Sequence, residues 1–462
     1  MIPQATISGA TLDAIVLYTA ILGILLLAAT ILRVRIPLLR RMFIPASLLA
    51  GIIGLILGPH FLGLIPKEIM SYWSALAGRL IIIVFAPMLM GGVLPKLKTV
   101  INYAGPQILL GYTLSCLQYG VPLLLTVFLF TPVWGLNELF GVIVEQGWAG
   151  GHGTAGGMAA VFEELKYMDG PSLSLTSATV GLIFGVVGGT VMINFAARKG
   201  YTAIIKSGDA RNVAPDLIEE QNRPIGSKIT ISSEVIESFA FHASLISVAV
   251  CLGWAMTWLM KKYLGFSIAL FGTAMIGGLI VQLIIARTKW GAFVEKATMS
   301  RIQGVALEFL IAGAIASVNI PVIVEYAVPL LIQQSVIAVL MVCMIFFYCP
   351  RIFPDKWFEN GIVIFGSWCG VNATGLLLLR TCDPEMTSGV FEAFAARAPF
   401  TGTFLGGGLF TAMAPSLVIQ YGAWGVGITC FGLFLFMLIV PRFFGWWYPS
   451  GKRVATAAAE GA

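Results

Sequence analysis

Charged residues are scarce in this sequence. Asp, Glu, Lys and Arg make up 11% of its 462 residues, whereas hydrophobic residues make up 58%. The mean hydropathy of +0.91 is far above that of water-soluble globular proteins. The basic residues are spread over short loops, so we expect no nucleic-acid partner. This composition predicts an all-α polytopic protein embedded in a lipid bilayer.

Residues typical of catalytic and metal centres are also few. The chain has three His, and its seven Cys lie apart without a C-x-x-C pair. We interpret the cysteines as buried thiols. The sequence has no H-E-x-x-H motif, no G-x-S-x-G motif with partners and no paired Asp at the tips defined below. An intramembrane enzyme is therefore weakly supported, and we expect that the protein is not an enzyme.

Eleven apolar runs are long enough to cross about 30 Å of hydrocarbon. They cover residues 13–33, 43–64, 77–95, 104–130, 172–196, 237–260, 264–286, 303–319, 323–348, 388–418 and 422–446. Two further apolar stretches, residues 136–163 and 359–380, are interrupted by glycine. The course of these two stretches decides the topology of the whole chain.

The basic residues indicate how the two interrupted stretches lie. Lys and Arg of short loops collect on the cytoplasmic side of a membrane. If the N-terminus is outside and both stretches enter and leave on one side, 22 of the 28 Lys and Arg residues lie inside and four lie outside. A full crossing at either stretch would invert every later loop. The pattern predicts two re-entrant hairpins, the first entering from outside and the second from inside, and a cytoplasmic C-terminus.

A polar segment, residues 197–235, divides the chain into halves of five spans each and is predicted to be a cytoplasmic linker. An odd number of spans inverts the second half relative to the first. We therefore predict inverted repeats at residues 1–196 and 236–418, each with one hairpin. Residues 419–462 would add one transmembrane helix and a cytoplasmic tail.

The hairpin tips resemble each other only faintly. Gly151-His-Gly-Thr-Ala-Gly156 lies opposite Gly370-Val-Asn-Ala-Thr-Gly375. We call residues 147–157, which contain six glycines, the first tip, and residues 366–375 the second tip. Irregular backbone at membrane depth lines a cavity, and broken helix ends there bind anions and cations. The sequence thus predicts that the tips meet and form a site.

Several tip residues are candidates for binding the substrate. His152 can bind substrate, relay protons or hold its own tip in place. The oxygens of Thr154, Asn372 and Thr374 suit Na⁺ or an amino-acid headgroup, or they can bond within their own hairpin. The candidate substrate-binding residues at the tips are Gly150, Gly151, His152, Gly153, Thr154, Asn372, Ala373 and Thr374.

Arg397 lies inside the tenth span, where an isolated guanidinium costs at least about 3 kcal/mol. An anionic substrate or a pairing with Glu145 or Glu308 would offset this cost. The candidate Na⁺ ligands are Ser177, Thr179 and Glu308. The two hydroxyls can instead bond to the carbonyl four residues earlier.

Together these features favour a secondary active transporter. A channel that uses the opposed hairpins as a filter is one alternative. A proton-coupled transporter of another organic anion is a second.

The residues around the first tip resemble those of a known family, the bacterial sodium/glutamate symporters. Gly150-Gly-His-Gly-Thr154 is similar to that family's first hairpin motif. Ala178-Thr179-x-Gly181-Leu182, with Gly188-Gly189, resembles the span after it. The order of elements is similar over about residues 40–415. The second tip departs from the family, whose hairpin has a Gly-Ala-Thr-Pro-Thr-Ala type of sequence.

The resemblance implies a fold and an activity. It implies two five-span repeats, a mobile domain that carries both hairpins, and a scaffold domain that forms a homodimer. It further implies an elevator-type movement that couples Na⁺ entry to uptake of glutamate or a related small carboxylate across a bacterial inner membrane. Na⁺ would then be the coupling ion.

Overall fold

The computed structural model describes residues 8–37, 39, 44–91, 97–204, 220–223, 225–263, 269–383 and 388–448, and within them it contains helices and no strand. The first half holds α1 (Gly9–Arg35), α2 (Ala46–Leu57), α3 (Lys67–Phe85), α4 (97–134), α5 (Ile143–Gly147), α6 (Gly151–Gly157), α7 (Ala159–Glu164) and α8 (Gly170–Lys199). The second half holds α9 (Ser238–Tyr263), α10 (Leu270–Ile285), α11 (Lys296–Ala316), α12 (Ile320–Glu325), α13 (Ala327–Ile352), α14 (Trp357–Cys382), α15 (Val390–Gly402) and α16 (Leu409–Phe443).

Nine helices among the described residues are long and apolar enough to cross a membrane. They are α1, α3, α4, α8, α9, α11, α13, α14 and α16. Two shorter apolar helices, α2 and α10, coincide with the second and seventh predicted spans. The prediction of a helical, multi-pass membrane protein is confirmed.

The predicted tenth span, residues 388–418, is not one helix. α15 ends at Gly402, and α16 begins at Leu409. Between them Gly406 and Gly407 have φ values of 59° and 102°, which an α-helix cannot contain. A glycine-rich break therefore divides this span as well.

α16 also bends sharply, at Gly422 (φ 73°, ψ 156°). The Glu138 carboxylate accepts a hydrogen bond from the Ala423 amide just beyond the bend, at 2.7 Å. The rest of α16 runs antiparallel to α4, because Gly427 packs against Leu123 and Phe431 packs against Gly120. This segment corresponds to the predicted eleventh span.

The first helix pair (138–164) starts and ends near Tyr326. The Phe140 ring stacks on the Tyr326 ring with 6.0 Å between centroids, and the Tyr326 hydroxyl donates to Asp169 at 3.0 Å, just before α8. Midway, Trp148 packs against Gly181 of α8. Gly181 is eleven residues into α8, or about 17 Å along the helix. The first tip thus lies well inside the protein.

The second helix pair (Trp357–Cys382) is α14, which folds back on itself. Gly370 (φ −172°, ψ 46°) and Val371 (φ 68°, ψ 167°) interrupt it. Its arms then face each other, because a Cβ atom on Gly366 would lie 2.8 Å from the Gly375 Cα. At the open end Lys356 donates to the Ser388 carbonyl at 2.6 Å.

The membrane re-entry of both pairs, the inverted repeats with their boundaries, and the orientation of the termini stay predictions. Within the predicted linker 197–235, residues 205–219 and 224 lie outside the described residues. The predicted tail from residue 449 onward also lies outside them. The described part of the linker is held at two places. The Ala203 amide donates to Glu359 at 2.5 Å, and the Lys228 amide donates to Glu295 at 2.7 Å.

Candidate substrate and ion site

The two tips touch at Gly151 and Val371. A Cβ atom on Gly151 would lie 2.3 Å from the Val371 Cγ1. Both residues have left-handed backbone, with φ values of 66° and 68°. This conformation is easy for glycine and strained for a β-branched residue. The contact therefore requires glycine in the first tip and stores strain in the second.

A cavity of about 440 Å³ lies beside this contact. Helices α1, α3 and α11 contribute Arg33, Phe85 and Leu307 to its wall. Seven of the candidate substrate residues line it, namely Gly150, Gly151, His152, Gly153, Thr154, Ala373 and Thr374. The structure thus brings residues of both tips to one cavity. Asn372, Arg397, Ser177, Thr179 and Glu308 are not part of its wall.

A tryptophan precedes each break by two residues and reaches a long helix of the other half. Trp148 donates to the Gln334 side chain of α13 at 2.5 Å. Trp368 donates to the Ser115 hydroxyl of α4 at 2.7 Å. Aligning the two tryptophans aligns Gly150 with Gly370, and the two left-handed residues then also coincide. The two tips read Trp-x-Gly-x-His-Gly-Thr and Trp-x-Gly-x-Asn-Ala-Thr. This register is shifted by one residue from the one that the glycines alone indicate.

His152 bonds to the helix that follows its tip. Its Nε2 lies 3.0 Å from the Thr179 hydroxyl oxygen, and that hydroxyl donates to the Leu175 carbonyl at 3.0 Å. The Thr179 oxygen is therefore the acceptor, and His152 Nε2 must carry the proton. His152 is 8% exposed, on the cavity side. It links the first tip to α8.

Arg397 of α15 is buried behind the second tip. Its guanidinium donates to Thr401 at 2.9 Å and to Ser367 and Asn372 at 3.2 Å each. It also stacks on the rings of Trp368 and Phe394, at 5.0 and 4.2 Å. The sequence left a pairing with Glu145 or Glu308 open. Across the described ranges no carboxylate forms an ion pair with Arg397.

The candidate Na⁺ ligands lie in different surroundings. The buried Ser177 hydroxyl exchanges hydrogen bonds with Gln334, at 3.1 and 3.3 Å. The Thr179 hydroxyl donates to the carbonyl four residues earlier, which was the predicted alternative to binding Na⁺. Glu308 is exposed on α11. The structure brings Thr179 to the first tip through its contact with His152.

Glu145 is a functional candidate that the sequence reasoning considered only as a partner for Arg397. It lies in α5, two residues before the first tip, and is fully buried. Tyr119 donates to its carboxylate at 2.6 Å, and the Gly406 amide donates at 2.8 Å. The Thr411 hydroxyl donates at 3.0 Å. The signal that could have revealed this contact is the Gly406-Gly407-Gly408 run inside the predicted tenth span.

The break at these glycines packs against the first tip. A Cβ atom on Gly406 would lie 3.0 Å from the Ala149 carbonyl oxygen. One on Gly407 would lie 2.4 Å from the Thr154 hydroxyl oxygen. Gly406 also lines the cavity. Three interrupted segments therefore meet here, of which the sequence predicted two.

A family of known proteins matches this chain. The family model described as sodium/glutamate symporter matches residues 10–374, which include the first tip and all but the last residue of the second. This agrees with the resemblance found around the first tip. No curated protein matches the sequence.

Proposed function

The chain belongs to the sodium/glutamate symporter family, and we propose that it is a Na⁺-coupled symporter that imports glutamate or a related small carboxylate. The observation that carries the choice of substrate is Arg397, a buried guanidinium whose described partners are all neutral. A buried arginine without a carboxylate is costly, and a bound anionic substrate would offset that cost.

Asn372 would give up its hydrogen bond with Arg397 when the substrate binds. Its side chain is exposed and accepts a hydrogen bond from the guanidinium. A substrate carboxylate is a stronger acceptor than an amide, so it would replace Asn372 on the guanidinium. The cavity between the tips has room for the rest of a small amino acid, since ligand pockets typically measure about 300–1,000 Å³.

Neutral oxygens near the first tip would hold Na⁺. Hard cations prefer oxygen ligands. Thr154 lines the cavity, Thr179 bonds to His152, and Ser177 lies two residues before Thr179 on α8 and is fully buried. The exposed position of Glu308 gives it no support as a ligand.

The two helix pairs would be re-entrant hairpins of an inverted repeat. Besides the matched tips, α4 and α13 end alike. Each has five π-helical residues, Thr126–Phe130 and Met344–Tyr348, followed by a four-residue turn whose second residue is proline. Such irregular turns are rare in helices, so their recurrence before each pair supports two related halves.

The remaining features follow from the family. The helix pairs, α8 and α15 would move together as a transport domain in an elevator-type mechanism. The other helices would form the scaffold of a homodimer in a bacterial inner membrane, with the N-terminus outside.

Uptake into proteoliposomes tests this proposal. Labelled glutamate should accumulate only with an inward Na⁺ gradient. Accumulation driven equally by a proton gradient would contradict Na⁺ coupling, and ohmic currents above carrier turnover would indicate a channel. If the protein takes up another small carboxylate but not glutamate, the substrate is that carboxylate and the proposed class of substrate is unchanged.

The role of Arg397 needs a separate comparison. Arg397→Ala should weaken the apparent affinity for glutamate at least about tenfold, the loss of one charge-assisted contact of about 1.5–3 kcal/mol. Arg442→Ala is the matched control, because Arg442 also stacks on an aromatic ring, that of Trp447, at 4.8 Å, but far along α16. An equal loss of apparent affinity in both variants would contradict a role of Arg397 in binding the substrate.

A further inference from the structure

Two backbone amides in the break between α15 and α16 are not bonded to the backbone. From Phe404 to Phe410, the other amides donate to carbonyls of residues 401–405. Gly406 N–H donates to the Glu145 carboxylate at 2.8 Å, and Gly407 N–H donates to the Thr411 hydroxyl at 3.1 Å. Thr411 in turn donates to Glu145. Both amides are thus hydrogen-bonded to one carboxylate, Gly406 directly and Gly407 through the Thr411 hydroxyl.

Consecutive amides in left-handed or turn conformations form a concave anion site, a nest. In transporters with broken membrane helices, the helix N-termini at the break point at anionic substrate groups. Here the group in the nest is the carboxyl side chain of Glu145, which accepts hydrogen bonds from Tyr119, Gly406 and Thr411. No described basic residue forms an ion pair with it.

We propose that Glu145 is a positioning residue whose carboxylate acts as a built-in anion, shaping the Gly406–Gly407 turn and thereby one wall of the tip cavity. Gly406 lies on the Ala149 carbonyl, and Gly407 lies on the Thr154 hydroxyl. A turn that lost its anion would move against both tip residues. The effect on transport rests on the proposed symport, whereas the shape of the turn does not.

Hydrogen exchange of the substrate-free, full-length protein tests the contact directly. In Glu145→Gly the Gly406 and Gly407 amides should exchange at least about tenfold faster than in the wild type. Potassium formate should slow them again and restore uptake, while potassium chloride should do neither. Formate is small enough to replace the missing carboxylate, and Gly406 already lines the cavity.

Two further variants keep the test decisive. Glu145→Leu fills the space without a charge, so its exchange should be fast and formate should not slow it. Thr411→Val should accelerate Gly407 alone, because Gly406 bonds to Glu145 directly. Unchanged exchange in Glu145→Gly, or equal formate effects in Glu145→Gly and Glu145→Leu, would overturn the proposal.

These readouts separate the two hypotheses. If the wild type fails to couple Na⁺ to glutamate uptake but exchange responds as expected, the symport proposal fails and the role of Glu145 stands. If the wild type couples Na⁺ to glutamate uptake but exchange of the two amides does not change in the Glu145 variants, the symport proposal stands and the role of Glu145 fails.

Discussion

Replacing Gly151 with alanine tests whether the two tips touch. The new Cβ atom would lie 2.3 Å from the Val371 Cγ1, so one tip must move. Alanine also resists the left-handed backbone at φ 66°, at a cost of about 1–2 kcal/mol. Overpacking adds about 1–3 kcal/mol. We therefore expect Gly151→Ala to lower the stability of the protein by about 2–5 kcal/mol.

A second substitution separates the two contributions. Val371→Gly removes the atom that the new Cβ would strike and relieves the strained φ of 68° at that position. In this background Gly151→Ala should keep only its backbone cost. The coupling free energy between the two sites should then be about 1 kcal/mol or more.

Thermal unfolding of the purified protein in detergent measures this coupling. The loss in midpoint caused by Gly151→Ala should be at least about one third smaller when Val371 is already glycine, given the two costs above. Gly135→Ala is the matched control. It has the same left-handed φ, 66°, and no atom within 4 Å of a Cβ. The same loss in both backgrounds would show that the tips are not in contact.

Two further predictions concern residues that hold the tips. His152→Asn should preserve Na⁺-driven uptake and its pH dependence, because Asn372 occupies the matching place in the second tip, whereas a shifted pH profile would assign a proton to His152. Trp148→Phe should lower the thermal midpoint by removing the bond to Gln334, worth about 1 kcal/mol. Leu12→Ala, an exposed apolar change on α1, is the control for the latter, and an equal loss there would contradict it.

The overall architecture could be predicted because hydropathy and charge act over long segments. Apolar runs located the long helices, and the glycines located the first tip. The contact between the tips was predicted from a topology in which the two segments enter from opposite faces and meet at depth. The resemblance to the symporter family is confirmed by the family match.

Local geometry was less accessible from sequence. The alignment of the second tip with the first depends on Trp368. The indole of Trp368 donates to Ser115, which is some 250 residues away in the sequence. The break at Gly406 was hidden because hydropathy averages over glycines inside an apolar run. Glu145 was considered only as an alternative ion-pair partner of Arg397, because its partners in the structure include a backbone amide, which has no sequence signature.

The matched tips also indicate how one architecture can serve an anion and a cation. His152 and Asn372, each two residues beyond its break, bond to residues 27 and 25 positions later in the chain. These partners are Thr179 in the first half and Arg397 in the second. The first tip thus bonds to a neutral hydroxyl and the second to a buried positive charge. A symmetric pair of arginines would repel Na⁺, and a symmetric pair of hydroxyls would leave a carboxylate without a counter-charge. The difference between these two partners would therefore suit the proposed symport of Na⁺ and an acidic substrate.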